Sequence, residues 1–288
     1  MRNPIIYSLF ALLLFSCSSD ADLSRLPNEQ KLSLYGLISP DSLICIRLSA
    51  TTSITETVFP IIENARIQLY ENDVWIGMFT YLSGWEYAID YRPKAGQTYT
   101  IVAEADGFPS IKAVETLPAN IEAIDVSSMT YQYPVLTLEP YVLGTAEFDL
   151  RDDSEHTVNY YEIIPESNCF SVSNAAVSVD TYRDYPVPMH SILFDNRTFA
   201  GKSIHFSIYA TSSSSSYRDP YLISMKIRKV SPAYYAYKNS WYQHQYSQGF
   251  NSGILENLFD ASSPIKMFSN IENGYGIFAS YSEIIRAY

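Results

Sequence analysis

Three features of the sequence predict a mainly β fold. Short apolar runs recur at period two with turn residues between them, and only one segment has the caps and uninterrupted length of a helix. The aromatic content is dominated by tyrosine, 25 residues against 14 phenylalanines, and tyrosine's large ring and polar tip suit half-exposed strands and binding faces. The architecture expected is an N-terminal Ig-like (transthyretin-like) β-sandwich, then a second β-rich domain with one C-terminal amphipathic helix packed on it. The chain's 288 residues suffice for one large or two ordinary domains.

The N-terminal segment is read first as a targeting signal. Ile5 to Ser16 is apolar or aromatic at ten of twelve positions, follows Arg2, and closes on Leu14-Phe15-Ser16-Cys17. A run this short cannot span a bilayer, which takes about 20 residues, so 1–16 reads as an export signal of lipoprotein type with Cys17 as the lipidated residue. The competing reading is an ordinary signal with an incidental cysteine. Acyl chains on Cys17 would give more than one buried lipid, which is what stable anchoring requires. Residues 17–30, polar and without periodicity, read as a flexible tether.

From Lys31 the strands follow one another. They are Leu32 to Ile38, Leu43 to Ala50, Ala65 to Tyr70, Val74 to Tyr81, Trp85 to Tyr91, Thr98 to Ala105 and Ser110 to Thr116. Turn residues such as Ser39-Pro40-Asp41 and Ser83-Gly84 separate them, and this density of strands is that of a sandwich covering 31–118. Leu117-Pro118-Ala119 marks a boundary. Six tyrosines lie in 17–118 and 18 in 119–288, which separates the two parts by composition as well. In 119–288 the strand candidates are Ile121 to Tyr131, Thr145 to Leu150, Asn159 to Ile164, Ile204 to Ala210 and Tyr221 to Val230, with Glu166 to Met189 weakly patterned. Ser231 as N-cap and Pro232 as first helical residue open a helix over 232–247, and Gly249 stands where it should stop. A final strand is expected around Gly276-Ile277-Phe278.

Composition narrows the function. A net charge of −12 would be repelled by nucleic-acid phosphates and anionic headgroups, so no nucleic-acid partner is expected and membrane attachment must come from lipid. Cys45 and Cys169 could form a disulfide or remain buried thiols; neither has metal-ligand spacing. There is no phosphate loop, no helical histidine pair, no zinc-spaced cysteine pair and no nucleophile elbow, and Gly274 and Gly276 read as turn glycines. No cofactor is expected. The strongest acidic constellation is Asp152, Asp153, Glu155 and His156, which could hold a hard cation through oxygen but lacks a calcium loop's glycine and spacing. A solvated turn is the competing reading, as charge runs on acidic surfaces usually are. On the helix, Tyr234, Tyr237 and Trp241 are expected to face a sheet. Tyr235, Tyr242 and Tyr246 would then lie toward the edge as partner-binding anchors, unless both rows are core.

Several of these segments together carry a family likeness. The lipobox and tether, the sandwich, Asn159-Tyr160-Tyr161 after an acidic turn, Asp195 to Lys202 with Phe199-Ala200-Gly201-Lys202, the Ser231 to Trp241 helix, and Ser269-Asn270-Ile271 through Gly274-Tyr275-Gly276-Ile277-Phe278 occur in an order that resembles the Bacteroidota lipoprotein family called domain of unknown function 4249. Tyr275 and Asn273 depart from it, standing where a smaller or aliphatic residue and a glycine are usual. The resemblance implies an outer-membrane lipoprotein of the kind often encoded beside TonB-dependent receptors, and it supplies no catalytic residues to carry over. Ser18 to Asp22 is similar to a weak form of the acidic signal that sends such proteins to the cell surface. The function expected is therefore a non-enzymatic, lipid-anchored binding or accessory subunit, with a TonB-dependent receptor and the outer-membrane bilayer as partners. A structural or adhesive surface protein and a hydrolase with an unrecognised site are the alternatives.

Overall fold

The computed structural model describes residues 30–53, 56, 58–121, 123–132, 141–152, 154–167, 174–177, 191–213, 223–247 and 265–287. Cys17, the signal and nearly all of the tether lie outside them. The described chain is mainly β, with one helix. The first eight strands are β1 (Leu32–Ile38), β2 (Ile44–Ala50), β3 (Arg66–Glu71), β4 (Val74–Met78), β5 (Thr80–Ser83), β6 (Glu86–Ile89), β7 (Thr98–Glu104) and β8 (Ile111–Thr116). Then come β9 (Ala123–Gln132), β10 (Tyr141–Arg151), β11 (Tyr160–Ser167), β12 (Asn174–Val177), β13 (Ile192–Asp195), β14 (Ser203–Ser213) and β15 (Ile223–Val230). Helix α1 (Pro232–Ser247) and the closing strand β16 (Tyr275–Ala287) complete the fold.

One long sheet organises all of it. Its eight strands run β13-β11-β15-β16-β1-β2-β6-β5, and two four-stranded sheets, β4-β3-β7-β8 and β12-β14-β10-β9, accompany it. Alternation along β1, with Leu32, Leu34 and Ile38 buried and Tyr35 exposed, aims one face of the long sheet inward. At the N-terminal end that face meets β3, β7 and β8 in a core of Leu34, Ile46, Leu48, Ile67, Leu69, Ile101 and Ala113. At the other end Tyr161, Ile163, Phe194 and Ile227 meet Phe148, Leu150 and Phe206 in a second core. The cores change over around Pro118, since Leu117 belongs to the first and Ile121 to the second. Helix α1 lies on the opposite face, over Leu193, Val230, Ile277 and Ala279. No helix among the described residues is long and apolar enough to cross a membrane.

The two ends are joined by β16, which pairs in parallel with β1 from Ser33↔Tyr275 to Ile38↔Ser280 and antiparallel with β15. Phe278 thereby enters the first core although it comes from the end of the chain. Gly36 gives it room, because a Cβ there would stand 3.1 Å from the Phe278 ring and 2.8 Å from Ile46. Gly276 is a strand glycine and not the turn glycine expected: at φ +107° its absent Cβ would fall 1.9 Å from the Leu34 carbonyl oxygen. Asn270 locks the same segment, its amide donating to the Phe278 carbonyl at 2.7 Å and accepting from the Phe278 N–H at 3.0 Å.

Elsewhere the sequence reading needs local revision. Val74 to Tyr81 is two strands in different sheets, with Phe79 buried at the crossing and its N–H donating to the Ile67 carbonyl. Strands β12 and β13 are four residues each, too short for periodicity to show.

Glu115 occupies the seam between β8 and β16. It is buried and accepts from the Ser280 hydroxyl at 2.7 Å, and that hydroxyl also lies 3.2 Å from the Thr116 carbonyl. Burial pushes its carboxyl up to about 7, against the opposing pull of the Ser280 and Ser231 hydroxyls and the Thr116 backbone. The folded state therefore holds this proton more tightly than the unfolded chain. Below about pH 4.5 the group is protonated in both states and costs nothing; stability falls as pH rises toward 7 and stays lower above it, by about 3 kcal/mol. Denaturant titrations of Glu115→Gln should show the variant gaining on wild type by that amount between pH 4.5 and pH 8. In the same assay Gly276→Ala should cost at least about 4 kcal/mol, whereas Gly84→Ala, at φ +59° in open space, should cost about 1 to 2 kcal/mol.

Candidate functional site

The acidic constellation at 152–156 does not assemble a cation site among the described residues. Asp152 is buried, and its carboxylate accepts from the Ser154 N–H at 2.7 Å, the Asn159 amide at 3.1 and 3.2 Å, and the Tyr161 hydroxyl at 2.9 Å. It is consumed as an internal acceptor, while Glu155 and His156 are exposed and Asp153 lies outside the described residues. Asn196 completes this knot by accepting from the Asn159 N–H at 3.0 Å and donating to the Thr157 carbonyl at 2.9 Å. The family-like segments Asn159-Tyr160-Tyr161 and Asp195 to Lys202 thus bond to one another, and their role is to hold a corner. Cys45 carries an exposed thiol on β2, so it is not a buried one, and Cys169 lies outside the described residues.

The helix is capped as expected, with the Ser231 hydroxyl accepting from the Tyr234 N–H at 3.2 Å. Of the two orientations open from the sequence, it takes the one in which both aromatic rows pack into the core. Tyr234, Tyr235 and Tyr242 are buried, Tyr242 to 1 % exposure, while Tyr237 and Trp241 are half-buried. Tyr235 and Tyr242 are therefore core residues and not edge anchors, and the Tyr246 side chain lies outside those described. The cause is a charge row beneath the helix: Glu162, Arg228 and Glu283 stand opposite one another on β11, β15 and β16.

Glu162 is fully buried. It accepts from the Tyr234 hydroxyl at 2.5 Å and the Ser191 hydroxyl at 2.7 Å, with Lys238 at 3.3 Å and Arg228 at 3.5 Å. The Tyr242 hydroxyl joins through Ser191, and Arg228 donates to Glu283 at 2.6 Å while stacking over Tyr281 at 4.2 Å. Burying an unpaired carboxylate would cost several kcal/mol. Tyrosine fills apolar space and also brings a donor, so the helix turns its hydroxyl-bearing rings inward. Burial and the neighbouring Glu162 charge push the Tyr234 and Tyr242 hydroxyls up, which keeps both protonated as donors.

What remains open is a groove on the same outer face, beside the helix. Ser33 and Tyr35 of β1 and, in register with them, Ser49 and Arg47 of β2 form its floor. Phe59, on the connection from β2 to β3, and Trp85, in the turn from β5 to β6, complete the lining. Its volume is about 440 Å³, within the range of small-molecule sites. The Trp85 carbonyl accepts from the Leu48 N–H at 2.8 Å and Ile61 bridges to Ser49, so both flanking segments are tied to the floor. Tyr237 meets Tyr35 edge-on at 6.4 Å, so the groove abuts the helix. Tyr35, Trp85 and Phe59 remain 42, 41 and 57 % exposed. Sequence reasoning missed these residues, although two signals pointed to them: Tyr35 occupies a polar position in the alternation of β1, and Trp85 follows a Ser-Gly turn.

The molecule is thus a double β-sandwich protein on one shared sheet, with an aromatic groove on that sheet's outer face. The family described as Domain of unknown function (DUF4249) matches residues 18–284, and the chain belongs to that family. No curated protein matches it. Among solved structures it is similar to the collagen binding domain of the surface protein RspB of Erysipelothrix rhusiopathiae, at 9 % identity and a TM-score of 0.25, over 90 % of this chain and 96 % of that one.

The two aromatic sets should separate under mutation. Tyr242→Ala should lower unfolding free energy by about 3 to 5 kcal/mol, whereas Trp85→Ala, at an exposed turn, should change it by less than about 1 kcal/mol; equilibrium denaturation measures both.

Proposed function

We propose that the protein is a non-enzymatic binding subunit, held at the outer membrane by lipid on Cys17, which presents the Tyr35 and Trp85 groove to a ligand on behalf of a TonB-dependent transporter. The groove carries this reading. Large aromatic rings left exposed on a sheet face, around a concavity floored by hydroxyls and a guanidinium, are favoured in binding sites and are disfavoured on an otherwise solvated surface. The N-terminal pattern ending at Cys17 supports the anchor, and the resemblance to a family of lipoproteins often encoded beside TonB-dependent receptors supports the transporter. The acidic surface fits attachment through lipid, since charge would not hold the chain to anionic headgroups.

Growth with labelled palmitate, followed by membrane fractionation, tests the anchor. Wild type should carry label and sediment with outer membranes, and Cys17→Ala should lose both properties. Affinity purification of the lipidated chain in mild detergent should bring down an outer-membrane transporter. Unaltered sedimentation of Cys17→Ala would count against the anchor, and a chain purified without any transporter would count against the accessory role.

A further inference from the structure

The chemistry of the groove specifies a ligand class, resting on the reading that this groove is the binding surface. Arg47 is not a free cation there: its Nε and Nη2 both donate to Glu86 Oε1, at 3.2 and 3.0 Å. The pair is neutral overall and presents further guanidinium N–H donors beside a carboxylate acceptor. Ser33 and Ser49 face each other across β1 and β2, and each hydroxyl can donate and accept. The Tyr35 phenol adds a third group of this kind, its hydroxyl pushed further up by partial burial and by Tyr237.

Two classes of ligand fit poorly. An anion would meet a guanidinium already neutralised by Glu86 while approaching a chain of net charge −12. A wholly apolar ligand would cover the hydroxyls and the ion pair without partners, at a desolvation penalty for each. The polar groups instead ask for a neutral molecule whose edge carries groups that both donate and accept, as adjacent hydroxyls do. The rings of Trp85, Phe59 and Tyr35 ask for flat C–H surfaces. A pyranose ring has both, its C–H faces apolar and its equatorial hydroxyls in the ring plane. We propose that the groove binds a neutral oligosaccharide, with the aromatic rings against the sugar faces and Ser33, Ser49 and the Arg47 and Glu86 pair hydrogen-bonded to its hydroxyls.

The full-length chain in mild detergent should be applied to an array of neutral and acidic oligosaccharides, and the best-retained neutral one titrated by calorimetry. The expected result is retention of neutral glycans and at least a tenfold weakening by Trp85→Ala and by Phe59→Ala, each with unchanged circular dichroism. Trp75→Ala, at an exposed tryptophan on β4 of the other sheet, should bind as wild type. Retention of acidic glycans alone, no retention of neutral ones, or undiminished affinity in both groove variants would overturn the proposal. Failure on the array with transporter co-purification intact would reject the saccharide and leave the binding-subunit reading standing; lost co-purification with glycan binding intact would reject the transporter partnership and leave the saccharide standing.

Discussion

The parallel pairing of the last strand with the first is the contact on which the rest of the structure depends. Strand β16 separates β1 from β15 and supplies a ladder to each, so without it the long sheet would be two unrelated edges. Phe278 fills the N-terminal core, Ser280 and Ser282 tie the seam to Glu115 and to the Pro118 carbonyl, and Ile277 and Ala279 form the floor on which the helix sits. Three packing layers therefore meet on one strand. At Gly276 the backbone of the paired strand, the Leu34 carbonyl above all, leaves no space for a side chain.

Part of the tyrosine content also finds its physical account in buried and half-buried acids. Tyr91 and Tyr99 donate to Glu71 at 2.8 and 2.6 Å, Tyr161 donates to Asp152, and Tyr234 donates to Glu162. In each case a ring packs with apolar neighbours while its hydroxyl meets a carboxylate, which a phenylalanine could not do and a lysine could do only by adding charge. Much of the aromatic surface that composition alone assigns to binding is thus internal. The groove stands out because Tyr35 and Trp85 keep their rings toward solvent and have no such carboxylate to serve.

Most of the strands were legible because alternation reports a half-buried sheet directly, as in Leu32-Ser33-Leu34-Tyr35. The helix was legible through its cap, Ser231 before Pro232. The choice between its two open orientations was not, since aromatic spacing cannot register a carboxylate on β11 that lies 72 residues before Tyr234 and draws its hydroxyl inward. Nor was the order of the long sheet, because the approach of Gly276 to Leu34 is a long-range fact with no local pattern. The site followed the same rule. Asp152 looked like a ligand because its neighbours in sequence are charged, but its neighbours in space are donors. The groove residues, drawn from β1, β2, a connection and a turn, share no spacing that could have grouped them.

The position of β1 also bears on mechanics. This strand begins at Leu32, early in the sequence, yet it is an interior strand of the sheet, flanked by β2 and β16. Tension transmitted through the residues before Lys31 would run along β1, across the perpendicular hydrogen bonds of its antiparallel ladder with β2 and the slanted ones of its parallel ladder with β16. Such a load shears two ladders together and cannot peel them open one bond at a time. A protein held by its N-terminus and pulled through that attachment would meet the load at an interior strand, and its survival under force would be set by the rate at which both ladders give way.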